Sequence, residues 1–296
     1  MKVTRKRILV DASALGDVDV VDVRFDGHRV WSLAVPRARA EEIAITWPEA
    51  LRPRLVGVTT VTLVDAVSQR VLAAAVDVRF GFTRQRLALT DARGRWLAMT
   101  KWDRLGPVLE GRHADIEREL LENGVGLVQH LQQAGYDVYI VGGTLLGAVR
   151  DGGLMPHDDD LDLAFLCRAE NAADVGLESF RMERVLQEHG YTVVRHSLAH
   201  LEIEFFNEDG EPDHYVDIFT GFFRDGLYCQ PFALRGPEVE QADLLPTRQR
   251  RIADVELPEP ANAEAWLAYA YGEGWRTPDP TFKFITPTST KRRFDG

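Results

Sequence analysis

Residues 160–166 read Asp160-Leu161-Asp162-Leu163-Ala164-Phe165-Leu166, alternating acid with aliphatic before turning wholly apolar. On a strand, residues i and i+2 face the same side. Asp160 and Asp162 then stand side by side, with Leu161 and Leu163 buried behind them. Two adjacent carboxylates repel, and a cation between them is the natural resolution. With oxygen ligands alone, that cation is expected to be Mg²⁺ or Mn²⁺. Acidic runs are also often solvated loops, and Asp158 and Asp159 are open to that reading. A calcium loop of the EF-hand type needs glycine at its sixth position, where Leu163 stands.

A third carboxylate interrupts another apolar segment, Tyr215-Val216-Asp217-Ile218-Phe219. A charge inside such a strand is costly unless paired or bound to metal. Asp217 is therefore either half of a structural ion pair or the third member of a metal site on a neighbouring strand. Upstream stands Val141-Gly142-Gly143-Thr144-Leu145-Leu146-Gly147-Ala148-Val149-Arg150. A Gly-Gly pair between strand and helix lets the backbone turn sharply and approach a ligand. The helix N-terminus behind it suits a phosphate, and Thr144 can add a hydroxyl donor. A plain strand-to-helix turn is the simpler alternative for this segment. The planar fork of Arg150 suits phosphate or carboxylate; its alternative role is an ion pair to Asp158 or Asp160.

The surrounding pattern divides the chain near residue 105. Before it, residues 18–25, 30–33, 56–63, 71–80, 85–89 and 96–100 read as short strands, with Asp26-Gly27 as a hairpin turn. Residues 1–105 are thus expected to form an all-β, sandwich-like module of unknown role. Behind it, residues 106–296 mix helices and strands. Residues 114–131 carry a helical apolar face that stops at Gly135, although Gly124 and Gly126 argue against an unbroken helix. Strands are expected at 138–141, 161–166, 191–196, 201–206 and 215–219. Helices are expected at 144–150, 170–189 and 263–271, the last with Asn262 as N-cap. Trp266, Tyr269 and Tyr271 on that helix are expected in the core.

The chain of 296 residues carries a net charge of −11, which disfavours a nucleic-acid coat but not a nucleotide ligand. Its two cysteines, Cys167 and Cys229, form no metal or disulfide motif and are expected as small buried hydrophobes. The basic start is followed by only Ile8-Leu9-Val10, too short for a signal-peptide core. No apolar run approaches the roughly 20 residues of a membrane span. A cytoplasmic location without a transmembrane segment is the expectation.

Gly-Gly-Thr-Leu-Leu-Gly-Ala-x-Arg at 142–150, followed by Pro-x-Asp-Asp-Asp-x-Asp at 156–162, resembles the signature of the LicD/fukutin family. The likeness extends over roughly residues 113–285 and takes in Val216-Asp217-Ile218-Phe219, Pro260-Ala261-Asn262-Ala263-Glu264 and Tyr271-Gly272-Glu273-Gly274-Trp275. One departure is His157, where the family usually has an aromatic residue. The resemblance implies an α+β nucleotidyltransferase fold, a mixed sheet with helices, behind the β module. It implies transfer of a phospho-alcohol, phosphocholine or ribitol phosphate, from a CDP-activated donor to a glycan or glycolipid of the cell envelope. It implies that Asp160, Asp162 and Asp217 hold Mg²⁺ or Mn²⁺, and that Gly142, Gly143, Thr144 and Arg150 meet the donor. Asp217 or Asp158 would take the acceptor's proton. Near the end of the chain, Arg276 and Lys283 are further candidates to close over a phosphate. Two alternatives stand beside this one: a plain nucleotidyltransferase acting on a small molecule or protein, and a glycan- or protein-binding scaffold without catalysis.

Overall fold

The computed structural model describes residues 1–35, 41–92, 94–100, 103–108, 113–155, 160–207, 210, 212–231, 236–279, 282 and 288. The chain divides into two compact units, with the break in the main run of sequence between Glu110 and Gly111.

The first unit is β-rich. Val20–Phe25 and His28–Ala34 form a hairpin over Asp26-Gly27. Both turn residues have positive φ, 50° and 92°, the geometry that matches the twist of the flanking strands. Gly57–Asp65 and Val71–Phe80 complete a four-stranded antiparallel sheet. A three-stranded sheet of Lys2–Val3, Arg7–Asp11 and Glu42–Thr46 lies outside the strands expected from sequence. Each of its strands is short, and only alternate residues of Arg7–Asp11 and Glu42–Thr46 are buried. Side chains of both sheets share one core, Ile8 and Ile43 with Val21, Val23 and Leu63. Trp47 packs edge-on against Phe25 and Phe80, with ring centroids 5.7 and 5.9 Å apart. Residues 85–89, expected as a strand, contribute only an isolated bridge from Arg86 to Val58.

The second unit opens with helix α1 (His113–Gln133), then β1 (Val138–Ile140), α2 (Gly142–Arg150), β2 (Asp160–Leu166) and α3 (Ala172–Glu188). Strands β3 (Thr192–Ser197), β4 (His200–Phe206), β5 (Pro212–Arg224) and β6 (Leu227–Cys229) follow. After helix α4 (Gln241–Leu244), a hairpin of β7 (Arg248–Ile252) and β8 (Val255–Glu259) leads to α5 (Ala263–Tyr271). The main sheet runs β1-β2-β5-β4-β3, with β6 added on β5. Only the β2–β5 pair is parallel; the other neighbours are antiparallel. Its α+β character with a mixed sheet is the architecture the sequence leads one to expect. The hairpin β7–β8 is an addition, since its first strand, Arg-Gln-Arg-Arg-Ile, has almost no apolar content.

Asn262 caps α5 as expected, its side chain accepting from the Ala265 amide at 3.2 Å. Trp266 and Tyr269 are buried and Tyr271 packs against the same core. Both cysteines are buried. Among the described residues no helix is long and apolar enough to cross a membrane.

Helix α1 runs unbroken through Gly124 and Gly126, contrary to what two glycines suggest. Leu120, Leu121, Leu127, Val128 and Leu131 are buried along it, and this apolar stripe outweighs a propensity cost of about 1 kcal/mol per glycine. The two glycines are not equivalent. A Cβ at Gly124 would lie 2.9 Å from Leu161 Cδ1, whereas at Gly126 the nearest atom is Tyr191 Oη at 4.0 Å. Gly126→Ala is expected to stabilise the protein by about 0.5–1 kcal/mol, because alanine narrows the unfolded ensemble without a clash. Gly124→Ala is expected to give no gain or a loss, as it pushes against the side chain between the two acids of β2. Denaturant unfolding of the two variants checks both; a Gly124→Ala gain equal to that of Gly126→Ala would contradict the packing argument.

Candidate metal centre

Strands β2 and β5 pair in parallel with Asp162 opposite Asp217 and Asp160 opposite Tyr215. Alternation sends the three acids to one face, while Leu161, Leu163, Val216 and Ile218 enter the core on the other. One carboxylate oxygen from each of Asp160, Asp162 and Asp217 lies within 4.8 Å of the others. Their relative exposures are only 6%, 6% and 9%. Two unit charges about 4 Å apart repel by roughly 4 kcal/mol at an effective dielectric near 20. Three of them, largely out of water, form a group that could hold a metal ion. The donor set is all oxygen, which fits Mg²⁺ or Mn²⁺ and not a thiolate- or imidazole-preferring metal.

The glycine turn builds one wall of this site. Gly142 has φ of +56°, and a Cβ there would overlap the Asp162 carboxylate. The Gly143 amide donates to Asp162 Oδ2 at 2.7 Å. Val141, the N-cap of α2, has no side-chain cap of its own. The Asp162 carboxylate therefore serves as the acceptor at a helix N-terminus, where negative charge is favoured. The backbone joins in. Val141 N–H donates to Asp162 O at 3.0 Å, and Asp162 N–H donates to Thr144 Oγ1 at 2.9 Å.

Thr144 is fully buried, and its hydroxyl accepts from Asp162 N–H, tying the acid strand to the helix. The Gly143 amide is directed at Asp162. Arg150 pairs with Asp151, the residue that follows it. Its Nη2 meets Asp151 Oδ2 at 2.7 Å and Met155 Sδ at 3.3 Å. Asp158 and His157 lie outside the described residues, as does Lys283. Arg276 is engaged by Glu264 and stacks 4.4 Å over Trp275.

Sequence reasoning missed His200. It sits on β4 opposite Phe219, one diagonal step from Asp217. Its Nε2 lies 2.8 Å from Asp217 Oδ1. The ring is held between Phe219, centroids 4.6 Å apart, and His196, 4.7 Å apart. Burial pushes its pKa down to about 4; the nearby His196 acts in the same direction, against the carboxylates of Glu202 and Asp160. The imidazole is thus neutral near pH 7 and donates Nε2–H to the carboxylate. The register of β3 shifts between Arg195 and Ser197, around His196, whose Nε2 meets Glu202 Oε2 at 3.0 Å. The legible signal was the sequence His200-x-Glu202-x-Glu204, three polar residues on one face of an otherwise apolar strand.

Glu119, Asp213 and His214 also bring ligand atoms within 4.8 Å. There, both His214 nitrogens already meet protein groups, Asp213 at 3.3 Å and Asn123 at 2.8 Å.

No curated protein sequence matches the chain. Among solved structures, that of the antibiotic-resistance factor ANT(2″)-Ia in solution aligns with a TM-score of 0.36 and 16% identity, covering 60% of this chain and 82% of that one. The crystal structure of ANT(2″)-Ia in complex with adenylyl-2″-tobramycin aligns with a TM-score of 0.35 and 16% identity, covering 59% and 85%. Neither likeness is close enough to carry an argument about chemistry. Residues 135–262, which contain β2, β4, β5 and the glycine turn, match the family model of LicD/FKTN/FKRP, nucleotidyltransferase domain, so this part of the chain is similar to that family.

Proposed function

We propose that this protein is a Mg²⁺- or Mn²⁺-dependent phosphotransferase, moving a phospho-alcohol from a CDP-activated donor to a hydroxyl of a cell-envelope glycan on the cytoplasmic side. The observation that supports it is the convergence of three buried carboxylates from two parallel strands beside the glycine turn, inside the part of the chain similar to LicD/FKTN/FKRP. A scaffold gains nothing from holding three like charges together against their repulsion.

Asp160, Asp162 and Asp217 would hold the cation. When bound, it neutralises donor phosphate oxygens and stabilises the charge that develops in transfer. Asp162 is oriented for this by Gly143 and Thr144. The acceptor hydroxyl oxygen forms a bond to the donor phosphorus adjacent to the alcohol. The bond from that phosphorus to the bridging oxygen of the diphosphate breaks, and CMP leaves with that oxygen. Asp217 already accepts from His200 and lies within the acid cluster, so we assign it to the cation and the hydroxyl proton to Asp158. Gly142 allows the close approach of turn and carboxylate. A plain nucleotidyltransferase would instead release pyrophosphate and leave the nucleotide on the acceptor.

A screen of CDP-choline, CDP-ribitol and CDP-glycerol with Mg²⁺ is expected to yield one donor that raises the melting temperature. Stabilisation reaches about 2.7 kcal/mol at 100-fold excess over Kd. With that donor, free CMP and a modified glycan support the proposal, and pyrophosphate with a nucleotidylated acceptor overturns it. Asp162→Asn is expected to keep the fold and lower turnover by at least roughly 10²-fold, the scale for loss of a preorganised charge-stabilising group; substantial remaining turnover would sink the metal assignment. Gly142→Ala is expected to combine backbone strain of about 1 kcal/mol or more with a comparable loss of turnover, because the methyl displaces the Asp162 carboxylate. Thermal melting and turnover measured together test this, and unchanged values of both would contradict the cradle geometry.

A further inference from the structure

We infer that His200 is a positioning residue for the acidic site, donating Nε2–H to Asp217 so that this carboxylate is fixed in the rotation that completes the cation's ligand set. The inference rests on reading Asp160, Asp162 and Asp217 as a divalent-cation site, and adds to it a residue outside the sequence signature.

The geometry behind it is specific. Asp162 has its orientation set by the Gly143 amide at 2.7 Å. Asp217 sits on the neighbouring strand away from that turn, and His200 contacts Oδ1 at 2.8 Å. The two outer walls of the site thus use different donors, a helix N-terminus for one acid and an imidazole for the other. His200 is itself fixed. Phe219 lies against one side of its ring and His196 against another, with tilted planes at 37° and 32°. His196 lies at the register shift of β3 and is tied to Glu202 at 3.0 Å. An imidazole so held restricts the carboxylate's torsion before any cation arrives. Partners that orient ligating groups in this way typically carry about 10–100-fold in metal affinity.

A near-isosteric pair of substitutions separates the hydrogen bond from the packing. His200→Leu keeps apolar bulk against Phe219 and removes the donor. His200→Gln places an amide N–H near the position of Nε2. Mn²⁺ binding to the full chain, without nucleotide, is followed by electron paramagnetic resonance and calorimetry, with thermal melting alongside. The expected result is a Kd for Mn²⁺ raised about 10–100-fold in His200→Leu and returned to near the wild-type value in His200→Gln. Wild-type affinity in His200→Leu overturns the inference while leaving the cation site standing. Equal weakening in both variants also overturns it, since packing and not the donor would then carry the effect. A wild-type chain that binds no Mn²⁺ at millimolar concentration removes the cation site itself, and the inference with it. Should His200→Leu melt below the assay temperature, His200→Asn, too short to reach Asp217, takes its place with the same expected loss and the same overturning result.

Discussion

The parallel pairing of β2 with β5 is the constraint on which the site depends. Asp162 and Asp217 face each other only because Leu161 pairs with Val216 and Leu163 with Ile218. A slip of one residue would turn the acids of one strand into the core and its aliphatics outward. The burial of Leu161, Leu163, Val216 and Ile218 makes such a slip prohibitively costly. Hydrophobic burial on one face of the sheet therefore sets the electrostatics of the other. The acids need no mutual attraction to come together; they are carried there by the residues between them.

The glycine turn then converts a repulsive pair into an ordered one. With no side chain to cap it, the N-terminus of α2 takes the Asp162 carboxylate as its acceptor. The same contact relieves an orphan helix amide and steadies a negative charge. Gly142 is required twice over, by its positive φ and by the space that the carboxylate fills. Thr144 adds a third tie through the Asp162 amide. Signature residues that stand apart in sequence are thus in contact with one another here.

That difference marks what was legible in the sequence. The acid alternation at 160–163 and the acid within 215–219 were readable because charge inside apolar strand patterns is costly and needs a reason. Helix α5 was readable to the residue, since Asn262 and Gly272 punctuate it. The ties of Gly143 and Thr144 to Asp162 were not readable, because they join segments 18 and 19 residues apart and depend on how α2 docks on β2. His200 escaped for a related reason: it acts diagonally across strands, a relation set by register and not by spacing along the chain. In the β-rich unit, Val71–Phe80 was legible through its length and Val content, whereas Arg7–Asp11 and Glu42–Thr46 bury only alternate residues and leave a weak signal.

Helix α1 shows how far the coupling between core and site extends. Gly124 lies against Leu161, the residue between Asp160 and Asp162, with room for a hydrogen and not for a methyl. Helix α1 and strand β2 thus meet closely on the apolar face. A protein interior is close-packed and transmits displacement instead of absorbing it. A methyl at this glycine would press on Leu161 Cδ1, the end of a side chain on the strand that carries both carboxylates. The apolar packing that holds β2 against α1 and the acidic face of the same strand are therefore set by one alternation of side chains.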